Sequence, residues 1–101
     1  MGERFDISGM TWEWRSSDKP GAAWHFLTID GEYAAQIRFA ALGRSGGFGS
    51  IRVTATIGNT SWQTSLFPLR ESGGYLLPLK AAVRRAEGIA PGQTISATIA
   101  I

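Results

Sequence analysis

A mainly β chain, closed or partly open as a small barrel of about six strands with two short helices inserted, is the fold class that this sequence predicts. Three observations lead there. Apolar and polar residues alternate with the period of a half-buried strand in Ile51, Val53, Ala55 and Ile57 against Arg52, Thr54 and Thr56, and again in Ile95, Ala97, Ile99 and Ile101 against Thr94, Ser96 and Thr98. Between the apolar runs stand pairs of turn formers, Gly58-Asn59 and Gly73-Gly74 among them. With 101 residues, 44% of them hydrophobic, the chain supports one core and hides roughly two thirds of its unfolded surface, so it is read as a single domain, residues 1–101. Several short strands in so small a domain must hide their edges, and closure does so with the least chain.

Met10 to Arg15 alternates Trp12 and Trp14 with Thr11, Glu13 and Arg15, which predicts a strand with the two indoles on its buried face. Ser16 to Gly21 is a run of turn formers, and Ala22 to Ile29 then places Trp24, Phe26 and Thr28 on one side and His25, Leu27 and Ile29 on the other. Asp30 is expected to cap a helix over Glu32–Leu42 whose inner face is Tyr33, Ile37, Ala40 and Ala41, with Gly43 closing it. Arg44 to Gly49 is too rich in glycine for helix or strand and leads into the strand at Ile51.

Gly58-Asn59 suits a mirror-image hairpin turn into a strand over Thr60–Phe67, and Pro68, lacking an amide, is expected to end the pairing. After Gly73-Gly74 comes a short strand, Tyr75 to Leu77. Pro78 then fits the first position of a helix in which Leu79, Ala82, Val83 and Ala86 share a face, closed by Gly88. Ala90-Pro91-Gly92 reverses the chain into the last strand.

Composition narrows function more than it assigns it. Ten Lys and Arg against eight Asp and Glu give a formal charge of +2, short of the dense basic clustering of most nucleic-acid binders. No cysteine is present, which removes disulfides, thiolate zinc sites and thiol catalysis. Without a basic leader running into an apolar segment, or any stretch of about 20 apolar residues, a soluble cytoplasmic protein with no membrane partner is expected.

The segments Gly21-Ala-Ala-Trp-His-Phe26, Gly47-Phe-Gly-Ser-Ile-Arg-Val53, Thr56 to Pro68, Gly74-Tyr-Leu-Leu-Pro-Leu-Lys80 and Val83-Arg84 to Gly92 stand in an order that resembles a bacterial family known as domain of unknown function 1905. The resemblance covers about three quarters of the chain and implies a small β-barrel-like fold with one or two helices and no assigned activity. Gln93 departs from the family pattern, in which Gly-Asp is more usual after the turn. A second likeness, Leu77 to Ser96, is to the swapped-hairpin barrels of AbrB-type regulators, which are DNA-binding dimers. It is a likeness of fold alone.

Chemistry-bearing residues are sparse. His25 is the sole imidazole, neither Ser61 nor Ser65 lies in a nucleophile-elbow motif, and Glu13, Asp30, Glu32, Glu71 and Glu87 are scattered, so His25 is read as strand packing and the chain as a non-enzyme with no cofactor and no metal. The glycine-rich stretch from Arg44 lacks the Gly-Lys-Ser/Thr ending of a phosphate loop. Trp12, Trp14, Trp24 and Trp62 could line a cavity, stack on bases or fill the core, and filling is the favoured reading. Pro78 at the first helical position would leave the amides of Leu79 and Lys80 open to an anion, beside the side chains of Lys80 and Arg84.

Together these suggest a ligand- or partner-binding module for a small anion, another small ligand or a protein, with Phe48, Arg52, Trp62, Ser65, Tyr75, Lys80 and Arg84 as the expected binding surface. Nucleic-acid binding by an AbrB-like barrel is the alternative. The oligomeric state is left open.

Overall fold

The computed structural model describes residues 3–15, 23–43 and 49–101. The turn expected at Ser16–Gly21 and most of the glycine-rich stretch, Phe48 included, lie outside the described residues. The order of elements is β1 (Arg4–Arg15), β2 (Ala23–Ile29), α1 (Gly31–Ala40), β3 (Ile51–Ile57), β4 (Thr60–Leu69), β5 (Gly74–Pro78), α2 (Ala81–Glu87) and β6 (Thr94–Ala100). The strands form a closed antiparallel barrel in the order β1-β2-β5-β4-β3-β6.

Closure depends on two long strands that each serve two partners. Arg4 to Met10 of β1 pairs with β6, whereas Thr11 to Arg15 pairs with β2. Likewise β4 pairs with β3 from Thr60 to Leu66 and with β5 from Phe67 to Leu69. The barrel is therefore two curved sheets that share β1 and β4 as corner strands. At the first corner a Cβ on Gly9 would lie 2.6 Å from the carbonyl oxygen of Thr28, so only glycine lets the two backbones approach this closely.

Just beyond it, the Thr11 side chain is 2% exposed. Its hydroxyl donates to the Ala90 carbonyl at 2.8 Å and accepts from the Gln93 amide at 3.2 Å, while the Thr11 amide donates to the Gln93 carbonyl at 2.8 Å. At the residue where pairing with β2 begins, the corner thus also fixes the turn that delivers β6.

The inner face is built from Leu27 and Ile29 of β2, Ile51, Val53, Ala55 and Ile57 of β3, Leu66 of β4, Leu77 of β5 and Ile99 of β6, all buried. Helix α1 closes the end where β2 finishes, through Ala34, Ile37 and Ala41, and α2 lies at the opposite end, where Val83 is buried. The Gly58-Asn59 hairpin forms as expected, with Ile57 opposite Thr60 and a positive φ of 57° at Gly58 only, the pattern of a turn with glycine first.

The structure corrects several local expectations. Trp12, Trp14 and Trp24 do not fill the core; they stand on the outer face, 36%, 50% and 58% exposed, and among the four indoles only Trp62 is buried. Pairing fixes the parity: Ile7 and Thr11 face inward along β1, so the intervening even-numbered residues face out. β1 also begins six residues before Met10, because Arg4 to Gly9 finds β6, a partner distant in sequence.

Pro68 does not end β4; it stands just after the strand changes partner, opposite Tyr75. Pro78 is the last residue of β5, and α2 starts at Ala81 with Lys80 at its N-cap. The Leu79 amide that an anion was expected to occupy donates instead to the carbonyl of His25 at 2.8 Å. In α1 the buried residues are Ala34 and Ile37, with Ala41 buried at its C-cap, and Tyr33 is exposed.

Two substitutions test this frame by urea unfolding. Ile99 is fully buried; Ile99→Asp places an unpaired carboxylate in the core and should remove several kcal/mol, a large share of the about 5–15 kcal/mol typical of a domain. Gly9→Ala should cost about 1–3 kcal/mol, because the added methyl meets backbone rather than a yielding side chain. A Gly9→Ala midpoint equal to the parent's would show that β1 does not turn its corner against β2.

Candidate functional site

β5 is short and ends in a residue with no amide to donate. Its ladder with β2 continues to Phe26 opposite Pro78, but its ladder with β4 ends at Phe67 opposite Leu76. The chain then stays with β2, through the Leu79 amide on the His25 carbonyl, and turns into α2. Gln63 and Thr64 of β4 are left without a strand neighbour on that side, and the barrel wall opens into a seam between the start of β2 and β4.

The seam is a cleft of about 250 Å³. Trp24, His25, Trp62, Thr64, Lys80 and Arg84 line it, together with Leu79 and its neighbours. Trp62 reaches it from the inner face of β4, opposite Ala55, and is 8% exposed; Trp24 reaches it from the outer face of β2. Arg84, half-buried, donates its Nε–H to the Leu79 carbonyl at 3.1 Å, which holds the guanidinium beside the opening. Lys80, at the N-cap of α2, is exposed. No Asp or Glu is among the described residues of the lining, and Thr64 supplies its one hydroxyl.

One wall carries a pairing that sequence reasoning missed. Glu13 stands opposite His25 in the β1–β2 ladder, and both side chains point into the barrel. His25 Nε2 lies 3.2 Å from Glu13 Oε2, and the other carboxylate oxygen accepts from Arg15 Nε at 2.5 Å. The His25 side chain is only 10% exposed and that of Glu13 22%. The signal was present in the alternation: once Trp12 and Trp14 face out, Glu13 must face in. A carboxylate on one ring nitrogen fixes the imidazole's orientation. With a single threonine hydroxyl in the lining, the seam offers positive charge and aromatic faces more than an activated nucleophile.

The residues expected to form a binding surface are thus distributed. Trp62, Lys80 and Arg84 meet in the seam. Arg52 and Ser65 oppose each other across the β3–β4 ladder on the outer surface, outside the cleft. Tyr75 is 5% exposed within the core, opposite Ile29. Phe48 lies outside the described residues. Trp24, His25 and Thr64 join the site only through the tertiary fold. Among the described residues no three His, Asp or Glu side chains gather where a metal would bind, and no helix is long and apolar enough to cross a membrane.

His25→Gln should fold, because an amide of similar length keeps a polar tip toward Glu13. A double-mutant cycle with Glu13→Gln should return a coupling of about 0.5–3 kcal/mol, the range for side chains in contact. Unfolding curves of the four proteins measure it; a coupling near zero would show that Glu13 does not hold the imidazole.

No curated protein matches the chain closely enough to count as a relative. The pattern of one family, described as "Domain of unknown function (DUF1905)", matches residues 9–99, from the glycine at the first corner of the barrel to the last inward isoleucine of β6. The chain therefore belongs to the domain of unknown function 1905 family.

Proposed function

We propose that this domain is a binding module whose ligand is a small anion with a flat apolar part, held in the seam between β2 and β4. The observation that carries this reading is the convergence of Lys80 and Arg84 with the indoles of Trp24 and Trp62 in a cleft whose described lining contains no carboxylate. A guanidinium fixed through its Nε–H to a backbone carbonyl keeps its remaining donors for an acceptor and loses little freedom on binding. The indole faces give the apolar part of the ligand somewhere to stack. A cleft of about 250 Å³ falls just below the usual range for drug-sized ligands, roughly 300–1,000 Å³, and suits one ring with one charged group.

Phenyl phosphate, inorganic phosphate and benzyl alcohol separate the parts of this recognition. Followed by amide shifts, phenyl phosphate should bind with a Kd on the order of millimolar and move Thr64, Leu79 to Ala81 and Arg84, with each of the other two probes binding about tenfold more weakly, a difference of about 1.4 kcal/mol. Arg84→Gln should lose the preference for phenyl phosphate over benzyl alcohol. Shifts confined to other parts of the barrel, or an unchanged preference in Arg84→Gln, would overturn the assignment of the seam.

A further inference from the structure

We propose that the outer face of the β1–β2 ribbon is a stacking track for single-stranded nucleic acid. The ladder sets Trp14 opposite Trp24 and Trp12 opposite Phe26, so four aromatic rings occupy two successive rungs on the solvent side. Trp14 and Trp24 are 50% and 58% exposed. The Trp12 and Phe26 rings lie with centroids 5.1 Å apart at an interplanar angle of 38°. Trp12 is held in place by its indole N–H, which donates to Thr28 Oγ1 at 2.7 Å. Three half-exposed indoles on one face of a small domain leave an apolar surface in water that the core does not require, since the inner face of these strands is filled independently by Leu27, Ile29 and the Glu13–His25 pair.

The chemistry of the occupant follows from what surrounds the rings. A glycan would stack on indole but needs partners for its hydroxyls, and the outer positions where the two strands pair, Trp12, Trp14, Trp24 and Phe26, offer no hydroxyl, while that of Thr28 beside them already accepts from Trp12. A nucleobase needs only the ring face, which makes such stacking tolerant of sequence. It also needs cations for its phosphates, and these stand at the end of the track where Trp14 and Trp24 lie. Lys80 and Arg84 line the seam that Trp24 borders. No carboxylate occupies an outer position where β1 pairs with β2; Asp6, further back on the same face of β1, accepts from Thr98. Successive rungs are two strand residues apart, about 6.8 Å, within the reach of one nucleotide in an extended strand. The duplex is a poor fit, because its bases present edges and not faces to a protein surface.

This inference shares Trp24, Lys80 and Arg84 with the seam but not Trp12 or Trp14, so the two readings fail separately. The test is fluorescence anisotropy of a labelled oligothymidylate and of the corresponding duplex at low salt and over a salt series. The parent should bind the single strand at least about tenfold more tightly than the duplex, with log K falling against log salt at about −0.7 per phosphate contacted. Trp14→Ala should weaken the single strand about tenfold while leaving phenyl phosphate in the seam unchanged, and Trp14→Phe should restore most of the loss. Trp14 is half-exposed, and a urea melt confirms that each variant folds.

Equal affinity for duplex and single strand, or a Trp14→Ala variant that binds as the parent does, would overturn the proposal. Sedimentation gives the competing outcome: if the parent self-associates, Trp14→Ala abolishes the association and no oligonucleotide binds, the face belongs to a second copy of this chain.

Discussion

Every strand of a small barrel needs a hydrogen-bonded neighbour on each side, and here that requirement falls on β1, which reaches β6 with its first seven residues and β2 with its last five. The change of partner happens where the backbone bends against Thr28, at a position that excludes a Cβ. Thr11, the first residue beyond the corner to pair with β2, spends its buried hydroxyl and its amide on the turn that precedes β6. The polar interior at this point is thus satisfied locally, and the same contacts determine where the last strand begins. The side chain of Gln93 accepts from the Ala90 amide at 3.1 Å and so belongs to that turn.

The seam is the counterpart of this closure. β4 mirrors β1 as the second corner strand, but its second partner, β5, has five residues and pairs with it at only three positions. Past Leu76 the wall has no hydrogen bonds to lose on that side, and the space is taken by side chains instead of a ladder. α2 is anchored across the gap by Val83 inward and by Glu87, whose carboxylate accepts from the Thr60 hydroxyl at 2.6 Å. That arrangement leaves Lys80 and Arg84 on the cleft. An opening and its positive charge therefore share one cause, the departure of the chain from the sheet at Pro78.

The hairpin, the last strand and the existence of both helices were legible because each depends on neighbours in sequence: a glycine where φ must be positive, an alternation of isoleucine with threonine, an apolar spacing of three and four. The direction in which β1 faces was not. Alternation says that two sets of residues lie on opposite sides of a strand, and it says nothing about which set is inside when one is aromatic and the other is Thr11, Glu13 and Arg15. Hydrophobicity favours burying the indoles. The closed barrel decides otherwise, since inward space at that end holds a threonine hydrogen-bonded to the distant Ala90–Gln93 turn and a carboxylate whose partners are His25 and Arg15. The site was half legible for the same reason: Trp62, Lys80 and Arg84 lie in strongly patterned segments, whereas Trp24, His25 and Thr64 are joined to them by strand order.

By itself the sequence determined the class of the fold, the number of strands, the tight hairpin, the approximate helices and the family, because all of these are written in local periodicity, in turn chemistry and in residues that keep their order along the chain. Only the tertiary structure decided that β1 extends back to Arg4, that Pro78 ends a strand and does not begin a helix, that the tryptophans of β1 and β2 face solvent and that a gap between β2 and β4 collects the cations. Those features depend on pairings between segments tens of residues apart. The free energy of a ladder or a filled core is shared by both partners, and neither partner's own sequence states which face or which neighbour will supply it.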